Sequence, residues 1–301
     1  MTTSRASLPF TSVDAFATLE AACLEAGILS DGAQLIRMGE NGLFSLGHDR
    51  IVVRIARSSD VLKDAEKEVA VAAWLRENGL PAAETTDHNQ PLMVRGRPVT
   101  FWKLIDDSGA RPSLADLARI LRRVHGLEVP DSLPLPKFDI FDRVSERIVK
   151  ASELPAAERE FLDGRLGRLR REYAALDFAL PSSAVHGDAH QSNLIQTPTG
   201  EVILIDFERF AYGPPESDLA MTATEHLIGW HTDAEYDRFC EVYGFDVEDW
   251  PGFPVIRAVN ELKMTTWLMQ NVGESDRVAL EFRTRLASLH DDDAPRDWQP
   301  F

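Results

Sequence analysis

Residues 186–193 have the sequence HGDAHQSN, and residues 202–208, a few positions further on, have the sequence VILIDFE. Between them, the segment 197–200 contains a proline and a glycine, which are typical of a turn. The pattern predicts a hairpin in which a short strand at 194–196 is followed by a buried strand at 202–205. Both segments end in polar residues, so the hairpin gathers polar side chains on one side.

Three of these side chains, Asp188, Asn193 and Asp206, suit phosphoryl transfer. Asp188 can orient, and accept the proton of, an attacking hydroxyl group. Asn193 and Asp206 offer an amide oxygen and a carboxylate, which can hold Mg²⁺ against nucleotide phosphates. Asn193 follows Asp188 by five residues, which is also the spacing in the catalytic loop of kinases. The sequence therefore predicts a magnesium-dependent kinase centre.

Together with GPPESDLA at residues 213–220, these motifs resemble those of the aminoglycoside phosphotransferase and choline kinase family. The match is strongest over residues 184–220 and extends more weakly back to about residue 35. The resemblance implies an α+β, bilobal, protein-kinase-like fold with the nucleotide bound between the lobes. A small antiparallel-sheet lobe for the nucleotide is expected at residues 1–105. A larger, mainly helical lobe for catalysis and substrate binding is expected at residues 106–301.

Apolar periodicity and turn residues predict the main elements. In the N-terminal part, strands are predicted at 34–37, 43–46, 51–55, 91–94 and 98–105, and helices at 12–27 and 60–78. In the C-terminal part, helices are predicted at 113–126, 139–151, 156–176, 216–229, 233–243, 254–272 and 275–290.

The resemblance also implies a strand lysine that binds the α- and β-phosphates and pairs with a helix glutamate. Here the strand position is Arg54 and the expected partner is Glu68. A guanidinium can still bind phosphate and carboxylate, but the change leaves the choice between ATP and GTP open. An arginine that simply faces outward from the strand is the alternative. Glu66 and Lys67, the neighbours of Glu68, are expected to face solvent.

The resemblance implies further nucleotide contacts from two segments. Gly39 and Asn41 belong to a turn, residues 39–42, whose backbone N–H groups are expected to lie over the phosphates. Phe101 and Lys103 belong to the segment that is expected to cross between the lobes and to receive the adenine.

Two residues are expected to support the catalytic loop. His186 is predicted to brace the loop through hydrogen bonds, and the resemblance implies that Asp218, near the start of a helix, holds it. The ligands of the acceptor are expected among acidic residues of the C-terminal part. The candidates are Glu216, Glu225, Glu241, Glu248, Asp249 and Glu261.

The composition of the chain limits the classes of partner that the protein can be expected to bind. The net charge of −17 argues against nucleic acid, and residues 181–301 carry 22 acidic and only 8 basic side chains. That excess favours a cationic acceptor, although an acidic surface that keeps the protein soluble is the alternative. No apolar run is long enough for a membrane span, and no signal peptide is recognised. Cys23 and Cys240 are isolated, which indicates reduced thiols and a cytoplasmic protein.

The sequence therefore predicts a small-molecule kinase that uses Mg²⁺ and ATP, with GTP possible, to phosphorylate a hydroxyl group of an aminoglycoside-like or other cationic acceptor. A role in antibiotic resistance is part of this prediction; the oligomeric state is left open. One alternative is a pseudokinase that binds a nucleotide without turnover. The other is a metallohydrolase, suggested by the spacing of His186, Asp188 and His190.

Overall fold

The structure is a computed structural model that describes residues 10–39, 41–151, 154–273, 275–291 and 294–301. Its internal contacts divide the chain into two compact units. The first unit comprises Met1–Pro112, Pro130–Leu135 and Ser192–Phe210, and the second comprises Ser113–Val129, Pro136–Gln191 and Ala211–Phe301. The domain boundary near residue 105 stays a prediction.

Within these ranges, the elements follow one another as helices, short strands and two 3₁₀ turns. The strands are β1 (Gln34–Met38), β2 (Asn41–Leu46), β3 (Ile51–Ala56), β4 (Leu92–Val94), β5 (Arg97–Lys103), β6 (Ser183–Val185), β7 (Leu194–Gln196), β8 (Val202–Leu204) and β9 (Ala211–Gly213). The helices are α1 (Ser12–Ala26), α2 (Leu62–Glu77), α3 (Leu114–His125), α4 (Val144–Lys150), α5 (Ala156–Ala174), α6 (Glu216–Leu227), α7 (Asp233–Tyr243), α8 (Phe253–Met269) and α9 (Asp276–Leu289). The 3₁₀ turns are Ser59–Val61 and Gln191–Asn193.

The first unit is built on an antiparallel sheet of five strands in the order β1-β2-β3-β5-β4. Helix α1 packs its apolar side, including Ala15 and Leu19, against the sheet. Thr11 caps the helix, and Gly27 ends it with a left-handed backbone (φ 72°). The five predicted strands and the α+β class are confirmed.

Alternation along β3 positions the first functional side chain. Val53 and Ile55 are fully buried in the core shared with α1. Because successive side chains of a strand point to opposite faces, Arg54 projects from the other face of the sheet. Helix α2 brings Glu68 to that face, where the two side chains meet.

The second unit is mainly helical and carries one small two-stranded sheet, β6 paired with β9. Glycine is required at the end of β9, because a Cβ on Gly213 would lie 2.5 Å from the Cβ of Phe138. Ser113 and Asp116 form a capping box at the start of α3, whose helix the sequence predicts at 113–126. The close approach of Phe138 to Gly213 explains why the GPPESDLA motif begins with glycine.

One predicted helix is shorter than expected. Residues 139–151 are helical only from Val144, because the Asp139 carboxylate accepts a hydrogen bond from Phe141 N (2.9 Å) and forms a local turn instead. Arg143 then adopts a left-handed backbone (φ 64°) before the helix begins. Among the described residues, no helix is both long enough and apolar enough to span a membrane.

Candidate active site

The structure assigns the predicted site residues to the two units as follows. The first unit holds Gly39, Asn41, Arg54, Glu68, Phe101, Lys103, Asn193 and Asp206. The second unit holds His186, Asp188 and Asp218.

The hairpin β7–β8 brings Asn193 and Asp206 to one end of the first unit's second sheet. Leu194 pairs with Leu204 in the antiparallel register, and Ile205 N donates to the carbonyl oxygen of Asn193 (3.0 Å). Asn193 and Asp206 therefore leave the paired strands at the same end, as the sequence predicts. Tight local pairing explains this, because the register of a short hairpin is fixed by its turn.

The donor atoms at this end fit Mg²⁺. Asp206 is exposed and has a left-handed backbone (φ 65°), a conformation that Asp tolerates better than most residues and that is common at functional sites. Asn193 offers an amide oxygen. Mg²⁺ needs few protein ligands, because waters and nucleotide phosphates complete its octahedron.

The structure also bears on the alternative metal centre. Within the described ranges, no group of three or more His, Cys, Asp or Glu side chains is arranged to hold a metal ion. His186 is fully buried, whereas the His190 side chain is 31 % exposed. The metallohydrolase interpretation therefore has no ligand cluster among these residues.

Arg54 is held on three sides within the first unit. Its Nη1 donates to Glu68, and its Nη2 donates to Oε2 of Glu208 at 2.8 Å. With the amide oriented so that its oxygen faces the guanidinium, Asn41 accepts from Arg54 Nε (3.0 Å) and Nη2 (2.7 Å). The predicted Arg54–Glu68 pair thus forms part of a larger cluster that includes the predicted phosphate-turn residue Asn41.

The charges of this cluster are unequal, because three carboxylates surround one guanidinium. Burial raises the pKa of Glu68 to about 7; Glu208 and Asp206 add to this effect, while Arg54 opposes it. Burial works to lower the pKa of Arg54, but Glu68, Glu208 and Asp206 outweigh it and raise that pKa. The neighbouring carboxylates raise both pKa values, whereas burial raises that of Glu68 and opposes the rise at Arg54.

Lys67 does not face solvent as expected. Its side chain is only 13 % exposed, and Nζ donates to the backbone oxygen of Glu208 (2.5 Å). Burial lowers the pKa of its amine, although the carboxylates of Asp64, Glu68 and Glu208 oppose this shift. Helical periodicity places Lys67 beside Glu68 but cannot show that the segment after β8 covers it. Glu66 is exposed, as the sequence predicts.

The other predicted nucleotide contacts are placed as follows. Gly39 N donates to the backbone oxygen of Asn41 (3.1 Å), which closes the turn between β1 and β2; Glu40 lies outside the described residues. Phe101 is fully buried in the core, so only its backbone could serve a nucleotide, and its N–H already donates to the Gln90 side chain. The Lys103 amine forms an exposed ion pair with Glu84.

In the second unit, Asp188 lies in the loop that follows β6. Gly187 precedes it with a left-handed backbone (φ 79°), which turns the chain sharply at this point and favours glycine. The Asp188 side chain is 40 % exposed, and its Oδ2 lies 3.8 Å from Nε2 of His190. A partly exposed carboxylate beside a histidine can accept a hydrogen bond from a substrate hydroxyl.

Asp218 holds this loop by its backbone. Its carboxylate accepts from His186 N (2.7 Å) and Gly187 N (2.8 Å) and contacts Nε2 of His125 (3.0 Å). The other ring nitrogen of His125 contacts the Tyr243 hydroxyl (2.8 Å). Because the carboxylate needs a donor, Nε2 carries the proton and Nδ1 accepts from the hydroxyl. His125 at the end of α3 thus links α3 and α7 to Asp218.

Burial works to raise the pKa of Asp218, but hydrogen bonds from His125 and the His186 backbone outweigh it and lower that pKa. Since the folded state favours the ionised carboxylate, its contribution to stability is present at neutral pH and is lost as the pH falls.

We expect Asp218→Asn to lower the free energy of unfolding by about 3–5 kcal/mol at pH 7, the usual cost of breaking a buried charged network. The difference from wild type should shrink toward acidic pH, where the wild-type carboxylate is protonated. Urea unfolding between pH 7 and pH 3 measures both effects, with the exposed Asp163→Asn as the matched control. A loss at pH 7 no greater than that of the control would contradict this role.

Two of the acidic candidates for acceptor ligands are not available. Glu216 is fully buried, and its Oε1 accepts from Leu180 N (2.7 Å). Glu261 is also buried and pairs with Arg257 (3.0 Å) and Arg296 (3.2 Å). Sequence alone could not separate these structural carboxylates from exposed ones, because Leu180 and Arg296 lie 36 and 35 residues away from them along the chain. Glu241 and Asp249 are exposed.

The residue that sequence analysis missed is Glu208. Its position two residues after Asp206, in the IDFE segment, is the only signal in the sequence. Its partners Arg54 and Lys67 lie 154 and 141 residues away along the chain, so no local pattern reveals them.

Comparison with known proteins gives one family match. Residues 39–256 match the family model described as "Phosphotransferase enzyme family" (APH). No curated protein sequence matches the chain significantly.

Several solved structures share the fold. The amicoumacin kinase hAmiN, in complex with AMP-PNP, Ca²⁺ and Ami, has a TM-score of 0.72 at 14 % identity, over 95 % of this chain and 97 % of that chain. The microcompartment-associated aminopropanol kinase has a TM-score of 0.70 at 17 % identity, over 92 % and 98 %. The choline kinase LicA from Streptococcus pneumoniae has a TM-score of 0.59 at 16 % identity, over 90 % and 98 %. At such identities, the matches establish the fold.

Proposed function

The chain belongs to the phosphotransferase enzyme family, as its motifs predict, and from this we propose that it transfers the γ-phosphate of ATP or GTP to a hydroxyl group of a cationic small molecule. The observation that supports this best is the hairpin end that presents Asn193 and Asp206 together. Its two oxygen donors are of the kind that holds Mg²⁺ on a nucleoside triphosphate.

The first unit would bind the nucleotide. Mg²⁺, held by Asn193 and Asp206, would neutralise charge on the phosphates. Arg54, oriented by Glu68 and Asn41, would lie beside the α- and β-phosphates, where a guanidinium acts as a strong charged donor. The turn at 39–42 and the backbone of the segment 101–106 remain the proposed contacts for the phosphates and the base.

The second unit would supply Asp188 to the reaction. A carboxylate that accepts the proton of the acceptor hydroxyl aligns the oxygen for attack on the γ-phosphate. Asp218 would act through the loop, because its contacts are with the backbone of His186 and Gly187. We assign Asp188 the catalytic role and Asp218 a positioning role.

The acceptor is proposed to be cationic on two grounds. Residues 181–301 carry 22 acidic against 8 basic side chains, which raises the local concentration of cations. Two of the structural relatives are kinases named for aminopropanol and choline, both of which are cationic alcohols. Aminoglycosides and peptide antibiotics have the same chemistry, so a role in antibiotic resistance is included in the proposal. The two cysteines are free thiols, which agrees with the proposed cytoplasmic location.

The test is a coupled assay of nucleoside diphosphate release with Mg²⁺, run with ATP and with GTP. The acceptors are aminoglycosides, cationic peptide antibiotics, macrolides, choline, amino alcohols, homoserine and simple sugars. We expect acceptor-dependent release with at least one cationic alcohol and no comparable release with the neutral sugars. Loss of the signal in Asp188→Asn would tie it to this site.

Two outcomes would contradict the proposal. Nucleotide binding without release on any acceptor would favour the pseudokinase alternative. Absence of binding of both nucleotides, measured by calorimetry with Mg²⁺, would contradict the assignment of the nucleotide site itself.

A further inference from the structure

We propose that Glu208 is a positioning residue that makes arginine, rather than lysine, the residue required at position 54. This inference rests on the proposed function only for its kinetic consequences. Its structural basis is the cluster formed by Arg54, Glu68, Glu208 and Asn41 in the first unit.

The first argument is the number of donors. The Arg54 guanidinium uses Nη1 for Glu68, Nη2 for Glu208, and Nε together with Nη2 for Asn41. A planar fork can serve partners on separate edges at once, whereas a lysine amine is a single point charge on a flexible stem. Lysine at this position could pair with Glu68 and would leave the Glu208 carboxylate without its guanidinium contact.

The second argument is burial. The side chains of Arg54, Glu68 and Glu208 are only 17 %, 6 % and 20 % exposed, so water screens their charges weakly. Asp206 adds a third carboxylate to the same surroundings. A carboxylate that loses its charged hydrogen-bond partner at such a site is costly, because it has already lost hydration. Glu208 and Arg54 therefore depend on each other.

The third argument is that Glu208 is held at both its side chain and its backbone. Arg54 binds the carboxylate, and Lys67 on α2 binds the backbone oxygen (2.5 Å). Glu208 lies two residues after Asp206, whose left-handed backbone (φ 65°) needs support from its surroundings. The two contacts thus connect α2 and β3 to the segment that carries the proposed magnesium ligand.

The consequence is that Glu208→Gln should change Tm and the nucleotide KM in opposite directions in the wild-type and Arg54→Lys backgrounds. A double-mutant cycle can detect this. In the wild-type background, Glu208→Gln removes half of an ion pair, and we expect it to lower Tm by about 2–4 °C and to raise the KM for nucleotide several-fold. In the Arg54→Lys background, the same substitution removes a carboxylate that has lost its guanidinium. There we expect Glu208→Gln to raise Tm and to lower the nucleotide KM relative to Arg54→Lys alone.

The experiment measures Tm, nucleotide KM and kcat for wild type, Arg54→Lys, Glu208→Gln and the double variant, and a Mg²⁺ titration gives the concentration for half-maximal activity of each. Glu66→Gln, a neutralisation at an exposed position of α2, is the matched control and should leave all three quantities unchanged in both backgrounds. The thermal cycle needs no catalysis, so it tests the ion pair even if no acceptor is found. The KM values test positioning, because a purely structural pair would change Tm without a selective effect on nucleotide KM.

Three results would overturn the proposal. Equal effects of Glu208→Gln on Tm in the wild-type and Arg54→Lys backgrounds would show that the two residues do not depend on each other. An equal rise of the Mg²⁺ concentration for half-maximal activity in both backgrounds would assign Glu208 to the metal instead. If Glu208→Gln changed Tm in opposite directions in the two backgrounds but left the nucleotide KM unchanged, the pair would stabilise the fold without positioning the nucleotide.

Discussion

Replacing Asp188 by asparagine should lower kcat by about 10²–10⁴-fold, which is the range for a positioned acid–base group. Asparagine keeps the shape of the side chain but cannot take the proton of the acceptor hydroxyl. Nucleotide affinity should stay close to wild type, because Asp188 belongs to the second unit and the proposed nucleotide ligands belong to the first. The loss should therefore fall on kcat.

Steady-state kinetics with the acceptor identified in the panel, together with calorimetry of nucleotide binding, measures this separation. Asp163→Asn, an exposed position on α5 in the same unit, is the matched control and should keep wild-type kcat. Turnover of Asp188→Asn near the wild-type rate would remove Asp188 from the catalytic role. A large loss of nucleotide affinity would indicate instead that the substitution disturbs the fold.

Replacing Asp206 by alanine should abolish the dependence of nucleotide binding on Mg²⁺. Asp206 supplies the only carboxylate of the proposed ligand pair, and an amide oxygen alone is a weak ligand for this hard cation. Wild-type protein should bind the nucleotide more tightly with Mg²⁺ than with EDTA, whereas Asp206→Ala should bind it equally weakly under both conditions. Turnover should fall to background, because the phosphate charge is no longer neutralised.

Isothermal calorimetry with ATP and GTP, each with Mg²⁺ and with EDTA, checks this expectation. The exposed Asp87→Ala in the same unit removes a carboxylate away from the hairpin and should retain the response to Mg²⁺. If Asp206→Ala kept wild-type affinity with Mg²⁺, the metal would have to be held elsewhere. Circular dichroism spectra of both variants should match wild type, since Asp206 is exposed.

The two carboxylates differ in their environments, and this difference suits the roles proposed for them. Asp206 is exposed but lies near the largely buried Arg54, Glu68 and Glu208, where negative charge is in excess. A divalent cation would relieve that excess, because it adds positive charge where three carboxylates share one guanidinium. The Asp188 carboxylate lies 3.8 Å from Nε2 of His190, and its side chain is 40 % exposed. It is therefore open to a substrate.

Much of the fold can be predicted from helix-capping residues, turn residues and apolar alternation in the sequence. Ser113 and Asp116 form a capping box, and a similar box of Thr232 and Glu235 starts α7; such signals act within one helical turn. The hairpin β7–β8 also follows from local sequence, because the five residues 197–201 between its strands include a proline and a glycine that are typical of a turn. The antiparallel sheet of the first unit follows in the same way from alternating strands and short turns.

Motif spacing also placed Asn193 and Asp206 correctly relative to their strands, and strand alternation with helix position led to the Arg54–Glu68 pair. These predictions succeeded because each rests on a geometric period or on a short connection. The family resemblance added the order of the motifs and is confirmed by the match over residues 39–256.

Only the tertiary structure decided which charged side chains are structural. The sequence alone predicts Lys67 in solvent and includes Glu261 among the candidate ligands. In the structure, Lys67 binds the backbone oxygen of Glu208, 141 residues away, and Glu261 is buried against Arg296 and Arg257. A sequence pattern reports the face on which a side chain lies, but burial depends on what the rest of the chain places over that face. The partner of a charge is therefore a property of the packed chain, whereas its position in a helix or strand is already set by local sequence.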